Sequence, residues 1–192
     1  GRGLGQSELG VPAITEIKAH SLGVGHLLPR STAIVDIGGQ DTKVIALDTK
    51  GLVAKFEMND RCAAGTGRFL EIMAGRLDYS IDEFGVAALD GAETLKINAT
   101  CTVFAESEVI GLINRNAPRQ DIARALHTSV IAKVTPMLQR VAPKAPQIVM
   151  CGGGALNPAL ASLLQQQTER EVVVASTPQL TGALGAALFA TR

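Results

Sequence analysis

The chain has 192 residues, of which 46% are hydrophobic and 19% are charged, and its 18 basic residues balance 18 acidic ones. This composition is typical of a folded α/β protein and excludes a disordered chain. No cluster of Lys and Arg and no run of about 18 apolar residues occurs, so neither nucleic acid nor a membrane is expected as a partner. Three widely spaced cysteines do not form a disulfide framework and no signal peptide is visible, so a reducing, cytoplasmic location is expected.

The first part of the chain predicts one short helix followed by an antiparallel meander. Residues 1–30 mix Gly, Pro and single apolar residues around a helix at Thr15–Leu22. Runs of apolar and β-branched residues then predict strands at Thr32–Ile37, Thr42–Leu47 and Leu52–Met58. Because short turns rich in Gly and Asp join these strands, there is no room for crossover helices between them.

The rest of the chain alternates helices with strands. Apolar residues that recur every three or four positions predict helices at Thr66–Leu77, Phe104–Asn114, Ile122–Met137, Leu156–Gln166 and Leu180–Ala190. Short apolar runs predict strands at Leu95–Asn98, Gln147–Met150 and Val172–Val174. The last two runs are continuously apolar, as expected of strands covered on both faces. The order of elements predicts an α/β fold with a mixed sheet and helices packed against it.

Two adjacent glycines lie between the first two strands, in the segment Asp-Ile-Gly-Gly-Gln-Asp-Thr-Lys at residues 36–43. Gly38 and Gly39 allow a tight turn that can bring backbone N–H groups to a phosphate. Asp36 can hold a magnesium-bound water, and Gln40 can orient an attacking water. The same residues also suit an ordinary hairpin turn, so the segment alone leaves both interpretations open.

A second glycine-rich segment follows the strand at 147–150. Gly152, Gly153 and Gly154 separate this strand from the next helix, and Asn157 lies in the first turn of that helix. Such a junction can place the backbone against a nucleotide. It is neither a Walker A loop nor a dinucleotide-binding fingerprint, and a plain strand-to-helix loop is the alternative.

A third segment, Gln179–Leu188, carries small residues on one helix face. Gly182, Gly185 and Ala186 predict close packing of this helix against another backbone. Gln179, at the entrance to the helix, does not belong to the packing pattern and is a candidate ligand contact.

Two of the three cysteines each precede a predicted helix. The N–H groups at a helix N-terminus stabilise the thiolate form that metals require, so Cys62 and Cys101 are candidate metal ligands. A [4Fe–4S] cluster needs four thiolates, which a two-fold dimer of this chain would supply. The alternative is that both cysteines are small buried residues. Cys151 directly follows a buried strand and is expected to be structural.

Together these segments resemble one protein family closely. The segment at 36–43, Met-Asn-Asp-Arg-Cys-Ala-Ala-Gly-Thr-Gly-Arg-Phe-Leu-Glu at 58–71 and Cys-Thr-Val-Phe-Ala-Glu-Ser-Glu-Val at 101–109 resemble the activators of 2-hydroxyacyl-CoA dehydratases. The ATPase subunits of benzoyl-CoA reductase belong to the same group. The resemblance continues through Gly152 and Gly153 and through Gln179–Gly185, so it covers essentially the whole chain.

The resemblance implies a fold and a set of ligands. The fold is that of acetate kinase, sugar kinases, heat-shock chaperones and actin (ribonuclease H-like), in which two lobes enclose a cleft for ATP and Mg²⁺. It also implies a homodimer with one [4Fe–4S] cluster, held by Cys62 and Cys101 of each chain. The loop at 36–40 would be the second phosphate motif, Gly152-Gly153 the adenosine motif, and Gln179 a nucleotide contact.

The activity implied by the resemblance is ATP-dependent activation by one electron. A ferredoxin or flavodoxin would supply the electron, and a 2-hydroxyacyl-CoA dehydratase or a related acyl-CoA reductase of anaerobic metabolism would receive it. Asp36 and Gln40 would be catalytic, whereas Glu106 and Glu108, on the expected inter-lobe helix, are given no catalytic role. A small-molecule kinase of the same fold without a cluster, or a chain that binds neither ATP nor iron, are the alternatives.

The sequence also departs from the family pattern. The phosphate-binding turn of the type Asp-x-Gly-Ser-Thr, with which the family opens, does not occur. We therefore expect most of the first lobe to be absent, with residues 1–30 as its remnant and the connection between lobes, and 31–192 as the second ATPase lobe. ATP hydrolysis by this chain alone is not expected. Cys151 stands where a threonine is expected, and Gly154 lengthens the glycine run.

Overall fold

A computed structural model describes residues 13–97 and 101–191. Within these ranges the strands are β1 (Ala33–Ile37), β2 (Thr42–Leu47), β3 (Val53–Asn59), β4 (Gln147–Cys151) and β5 (Glu171–Val174). The α-helices are α1 (Glu16–Leu27), α2 (Gly67–Arg76), α3 (Ile81–Asp90), α4 (Thr102–Asn114), α5 (Arg119–Val141), α6 (Pro158–Thr168) and α7 (Thr181–Ala190). Short 3₁₀ helices lie at Ala63–Gly65, Gly153–Leu156 and Pro178–Leu180.

The strands form one mixed sheet, in the order β3-β2-β1-β4-β5. β1, β2 and β3 are the predicted antiparallel meander, whereas β4 and β5 run parallel to β1. In the parallel pair of β1 and β4, Asp36 lies opposite Cys151. Because neighbouring parallel strands end at the same edge of a sheet, the loops that follow β1 and β4 lie side by side.

The two faces of the sheet are covered by different helices. Helices α2 to α6 contribute to the larger apolar core, which includes Val35 of β1. On the opposite face a smaller cluster joins Val24 of α1 to Ile34 of β1 and to Cys151. Successive strand residues point to opposite faces, so Ile34 and Val35 belong to different clusters. None of the helices in the described parts of the chain is long and apolar enough to cross a membrane.

Helices α1 and α7 pack with their backbones in contact. A Cβ atom added to Gly185 would lie 1.7 Å from the carbonyl oxygen of Ala19, and one added to Gly23 would lie 1.9 Å from that of Thr181. No side chain fits at either position, so both must be glycine for this approach. The predicted close packing of the small residues near Gly185 is confirmed.

Several predicted elements differ from the structure. Leu95–Ile97 is not a strand but part of an irregular connection, and Asn98, the last residue of that predicted strand, lies outside the described residues. The prediction that β5 is covered on both faces is wrong, because β5 is an edge strand whose Val174 is exposed. The helix predicted at Thr15–Leu22 extends to Leu27.

Helix α3 is absent from the sequence-based prediction. Its start is marked by a capping box, in which Ser80 Oγ accepts a hydrogen bond from the backbone N–H of Glu83 and the Glu83 carboxylate accepts one from the backbone N–H of Ser80. A Ser followed three residues later by Glu is a recognisable helix start, so the sequence did contain the signal. α3 packs against α5 and α6 and extends the core toward the site described next.

Candidate functional site

The three glycine-rich segments meet in one cleft of about 320 Å³. We call it the glycine cleft, and its polar floor consists of Gly38, Gly39, Gly153, Gly154 and Gln179. Helices α2 and α3 and the start of α6 complete the walls with Gly67, Leu70, Glu71, Ile81, Asp82, Leu156, Asn157 and Pro158. The segments converge because β1 and β4 are parallel neighbours whose loops share one sheet edge.

The turn between β1 and β2 is hydrogen-bonded to the start of helix α2. Within the turn, the N–H of Gly38 donates to the carbonyl of Asp41 over 2.9 Å. The carbonyls of Gly38 and Gly39 accept hydrogen bonds from the N–H groups of Gly67 and Arg68, at 2.8 and 3.0 Å. Any displacement of this turn therefore acts directly on the helix that follows Cys62.

In the other glycine loop Gly152 and Gly154 pack closely against β1, and Gly153 and Gly154 border the cleft. Gly152 has a φ of 79°, and a Cβ atom there would lie 2.4 Å from Asp36 Oδ1. A Cβ atom on Gly154 would lie 2.6 Å from the side chain of Ile37. Gly153 is open, and its nearest neighbour from such an atom is Gln179 Nε2 at 3.8 Å. Of the predicted pair, Gly153 borders the glycine cleft and Gly152 packs against Asp36 instead.

Asp36 lies behind the turn among the charges around the buried Lys43, which we call the Lys43 cluster and of which Glu16 is exposed. Lys43 Nζ is 3.1 Å from Asp36 Oδ2, 2.6 Å from Asp41 Oδ1 and 3.2 Å from Glu16 Oε1. Burial by itself lowers the pKa of Lys43, but the hydrogen bond to Asp41 and the charge of Asp36 outweigh it, and the pKa of Lys43 is above its usual range. Asp36 is thus held by an ammonium ion and does not line the glycine cleft.

Gln40 lies on the other side of the same turn. With Asp41 it lines a second cavity of about 780 Å³ between the turn and helices α1 and α7, which we call the α1/α7 cavity. Gln179 borders both this cavity and the glycine cleft. The structure therefore brings Gly38, Gly39 and Gln179 together in the glycine cleft, whereas Gln40 lines the neighbouring α1/α7 cavity.

A buried histidine, His127, fixes Asn157, the cleft residue that caps the start of α6. Asn157 Nδ2 donates to His127 Nε2 over 2.9 Å, and His127 Nδ1 donates to the carbonyl of Ala123 over 2.7 Å. Burial lowers the pKa of His127 to about 4, so the ring is neutral and can accept this hydrogen bond at neutral pH. Asn157 Oδ1 also accepts from the N–H of Ala159, which caps α6.

The three cysteines occupy different environments, and they form no disulfide. Cys62 is half-buried, and its backbone N–H and carbonyl are both hydrogen-bonded to the side-chain amide of Asn59, each at 3.1 Å. Cys101 is exposed and is the N-cap residue of α4, where it accepts no capping hydrogen bond. The interpretation of both cysteines as small buried residues therefore does not fit Cys101.

Cys151 is fully buried, as predicted. Burial, followed by the negative charge of Asp36, raises the pKa of its thiol above the usual range. Its sulfur lies 3.6 Å from His20 Nδ1 and 3.8 Å from Asp36 Oδ1.

Sequence reasoning assigned no role to His20, Asn59 or His127, and Lys43 was noted only as the end of a motif. His20, Lys43 and His127 act through partners on other elements, so their roles depend on the tertiary structure. Asn59 is the exception, because it stands three residues before Cys62 in the same motif. A side-chain amide at that spacing often binds the backbone of a following turn, which was the available signal.

Known proteins of one family resemble this chain over nearly all of its length. The chain matches the BadF/BadG/BcrA/BcrD ATPase family over residues 1–190. It is 44% identical to the activator of lactoyl-CoA dehydratase of Anaerotignum propionicum, over 92% of this chain and 68% of that protein. The solved structure of the activator of the 2-hydroxyisocaproyl-CoA dehydratase from Clostridium difficile with bound ADPNP is 44% identical, with a TM-score of 0.86 over 92% of this chain and 66% of that one.

A second solved structure, component A of the (R)-2-hydroxyglutaryl-CoA dehydratase of Acidaminococcus fermentans, is 38% identical with a TM-score of 0.88. This chain covers 68% of that structure, so it spans about two thirds of the length of these relatives. The ethanolamine utilization protein EutJ from Carboxydothermus hydrogenoformans shares the fold at 19% identity, with a TM-score of 0.54. The chain therefore belongs to the BadF/BadG/BcrA/BcrD ATPase family and has its actin-like α/β fold.

Proposed function

We propose that this chain is the second lobe of an ATP-dependent activator that passes one electron to a 2-hydroxyacyl-CoA dehydratase or a related acyl-CoA reductase. The observation that supports this most is the direct hydrogen bonding between the turn at Gly38-Gly39 and the start of α2, the helix that follows Cys62. It connects the proposed nucleotide site to a proposed cluster ligand within the same chain.

The glycine cleft is the proposed nucleotide site. Gly38, Gly39 and Gly153 present backbone without side chains, which suits close approach of phosphates or of the adenosine. Gln179 at the edge of the cleft is positioned to donate or accept a hydrogen bond. Asp36 and Gln40 are proposed to orient Mg²⁺-bound and attacking water, which the bound nucleotide of a complete two-lobed site would bring to them.

The chemistry of Cys62 and Cys101 fits an iron–sulfur cluster. Both are N-cap residues of helical turns, and Cys101 is exposed. When bound, a [4Fe–4S] cluster supplies transfer of one electron at a time. Two thiolates per chain require a second copy to complete the ligand set. Asn59 fixes the backbone on both sides of Cys62 and so holds that ligand's position.

The proposed coupling uses movement of the turn. A nucleotide that pulls on Gly38 and Gly39 also pulls on the N-terminus of α2, because their carbonyls bind its first N–H groups. Cys62 lies one short 3₁₀ helix before α2, so its orientation relative to Cys101 changes with the turn. A ferredoxin or flavodoxin is the proposed electron donor, in keeping with transfer of single electrons.

Iron content tests the cluster. We expect the chain purified without oxygen to be brown and to carry about two iron ions per chain, since four irons are shared by two copies. Cys62→Ser and Cys101→Ser should each abolish the iron and the colour. Cys151→Ser is the matched control, because this third cysteine is buried away from both, and it should keep the iron. A colourless protein that transfers phosphate from ATP to a small molecule would instead identify a kinase.

Nucleotide binding tests the cleft separately. We expect Gln179→Ala to weaken ATP binding, measured by calorimetry on this chain and on any longer product encoded by the gene. Gln166→Ala, an exposed glutamine on α6 outside the cleft, is the control and should bind like the parent. Equal binding by both variants would remove Gln179 from the site.

A further inference from the structure

Three side chains of different ligand types meet beneath the α1/α7 cavity. His20 of α1, Asp36 of β1 and Cys151 of β4 are all buried, and one ligand atom from each lies within 4.8 Å of the other two. We propose that these three residues form a binding site for one zinc-class divalent cation. The site does not include Cys62 or Cys101, but it shares Asp36 with the proposed nucleotide site, so a cation bound here would compete with the role proposed for Asp36 in ATP hydrolysis.

The distances from Cys151 to the other two residues are close to those of tetrahedral coordination. Cys151 Sγ is 3.6 Å from His20 Nδ1 and 3.8 Å from Asp36 Oδ1. A tetrahedral zinc ion with bonds of about 2.3 Å to sulfur and about 2.0 Å to nitrogen or oxygen separates such ligand pairs by about 3.5 Å. The third pair, His20 and Asp36, is 3.6 Å apart between Nε2 and Oδ2, so the imidazole ring or the carboxylate has to reorient to bring Nδ1 and Oδ1 to the same ion. Thr181, whose Oγ1 is 3.0 Å from His20 Nδ1, or a water is available as the fourth ligand.

The backbone holds the three ligands on separate, well-packed elements. Asp36 and Cys151 are paired in the register of two central parallel strands. His20 is fixed by the backbone contact of α1 with α7, since the contacts of Gly23 and Gly185 lie on either side of it in the fold. Rigid elements position metal ligands more accurately than loops do.

The surrounding charges favour a cation. Asp36, Asp41 and Glu16 contribute three carboxylates, and Lys43 is the ammonium ion among them. Lys43 contacts Oδ2 of Asp36, which leaves Oδ1, the oxygen nearest Cys151, for a metal. With Cys151 bound as a thiolate, the three carboxylates and Lys43 leave three negative charges, of which a divalent cation would balance two.

The donor set selects the class of metal. A thiolate, an imidazole and one carboxylate are typical zinc ligands, whereas Mg²⁺ and Ca²⁺ require mostly oxygen. Binding exchanges the thiol proton of Cys151 for a metal–sulfur bond, so one proton is released per cation and no electron is transferred. His20 and Glu16 also line the α1/α7 cavity, which provides a path for entry.

The test removes the surface thiols first. In the full chain carrying Cys62→Ser and Cys101→Ser, we expect one equivalent of Zn²⁺ to bind tightly against a chromophoric chelator, with Mg²⁺ not competing. Co²⁺ should show a thiolate-to-metal charge-transfer band. Adding Cys151→Thr, which keeps a side chain of similar size, should eliminate that band and weaken Zn²⁺ binding by more than about tenfold, as should His20→Gln.

Two outcomes would overturn the proposal. One is a Co²⁺ complex of the chain carrying Cys62→Ser and Cys101→Ser that shows no thiolate band. This measurement uses neither the Cys151 variant nor the His20 variant, so it does not depend on how they fold. The other is unchanged Zn²⁺ affinity in the Cys151→Thr variant, with circular dichroism showing that it is folded. Since every sample lacks Cys62 and Cys101, neither outcome bears on the proposed cluster.

Discussion

The residues at the sheet edge around Asp36 find their contacts within the chain, whereas the helix that begins after Cys101 leaves apolar side chains exposed. At the sheet edge, Lys43 is buried among three carboxylates and glycines allow backbones to touch. On α4, by contrast, Val103 is 66% exposed and Phe104 is 69% exposed, directly beside an exposed cysteine. The first region has its partners within the chain, whereas the second presents apolar surface that nothing in the described residues covers. The difference teaches that folding assembles the part of the proposed nucleotide site that this chain contributes, whereas the proposed cluster site needs association with a second copy.

The largest effect on stability is expected from removing the ammonium group of Lys43 from the sheet edge. Lys43→Met would leave Asp36 buried without its ammonium partner, which should destabilise the chain by about 3–5 kcal/mol. Urea unfolding measures this, with Lys50→Met in the exposed turn after β2 as the control. If both variants unfolded at the same urea concentration, the sheet edge would not be held by its internal charges.

The next effect concerns pH and His127. Because the pKa of His127 is lowered to about 4 in the folded chain, the unfolded chain binds an additional proton between about pH 6.5 and pH 4. The free energy of unfolding should therefore keep this contribution above about pH 6.5 and fall by up to about 3 kcal/mol as the pH drops to about 4. His127→Gln should flatten this part of the pH profile of unfolding, and His26→Gln, on α1, should leave it as it is.

A smaller loss is expected at the contact between α1 and α7. Gly185→Ala places a methyl group against the Ala19 carbonyl and should cost about 1–3 kcal/mol. Gly25→Ala, on α1 with open space around it, should instead be neutral or stabilise by up to about 1 kcal/mol. Thermal unfolding of the two variants compares them directly, and a similar loss in both would mean that general helix effects explain the result.

The smallest effect on stability is expected on α4. Phe104→Ala should change the free energy of unfolding by less than about 0.5 kcal/mol, because the ring is exposed. Phe69→Ala, which empties a fully buried position, should cost about 3–5 kcal/mol. Sedimentation of the Phe104 variant should show weaker self-association than the parent. Unchanged self-association would mean that α4 is not part of the proposed contact between copies.

Much of the architecture could be predicted from local patterns. The three meander strands, the buried β4 and most helices follow from apolar periodicity and turn residues, because these signals lie within a few positions of one another. The predictions failed where contacts with distant parts of the chain determine how an element is placed. Val172–Val174 is as apolar as a central strand, yet β5 lies at the edge, and nothing within the run itself shows its position in the sheet.

The candidate site was predicted in part. Gly38, Gly39, Gly153 and Gln179 were singled out from glycine spacing and helix boundaries, and they do share a cleft. That Asp36 is held by Lys43 follows from the register of β1 and β2, in which the two residues are paired, and that Gln40 lines the α1/α7 cavity depends on how α1 and α7 pack beside the turn.

The sequence by itself determined the family, the glycine segments and the two cysteines that precede helices, because each is a contiguous motif whose chemistry depends on near neighbours. Only the tertiary structure decided which motifs touch. It placed Cys151 opposite Asp36 and brought His20 from α1 to both of them. It also joined the Gly38-Gly39 turn to the helix after Cys62. The physical reason is that parallel strand pairing and backbone contact between helices connect residues more than a hundred positions apart, and no local pattern records such pairings.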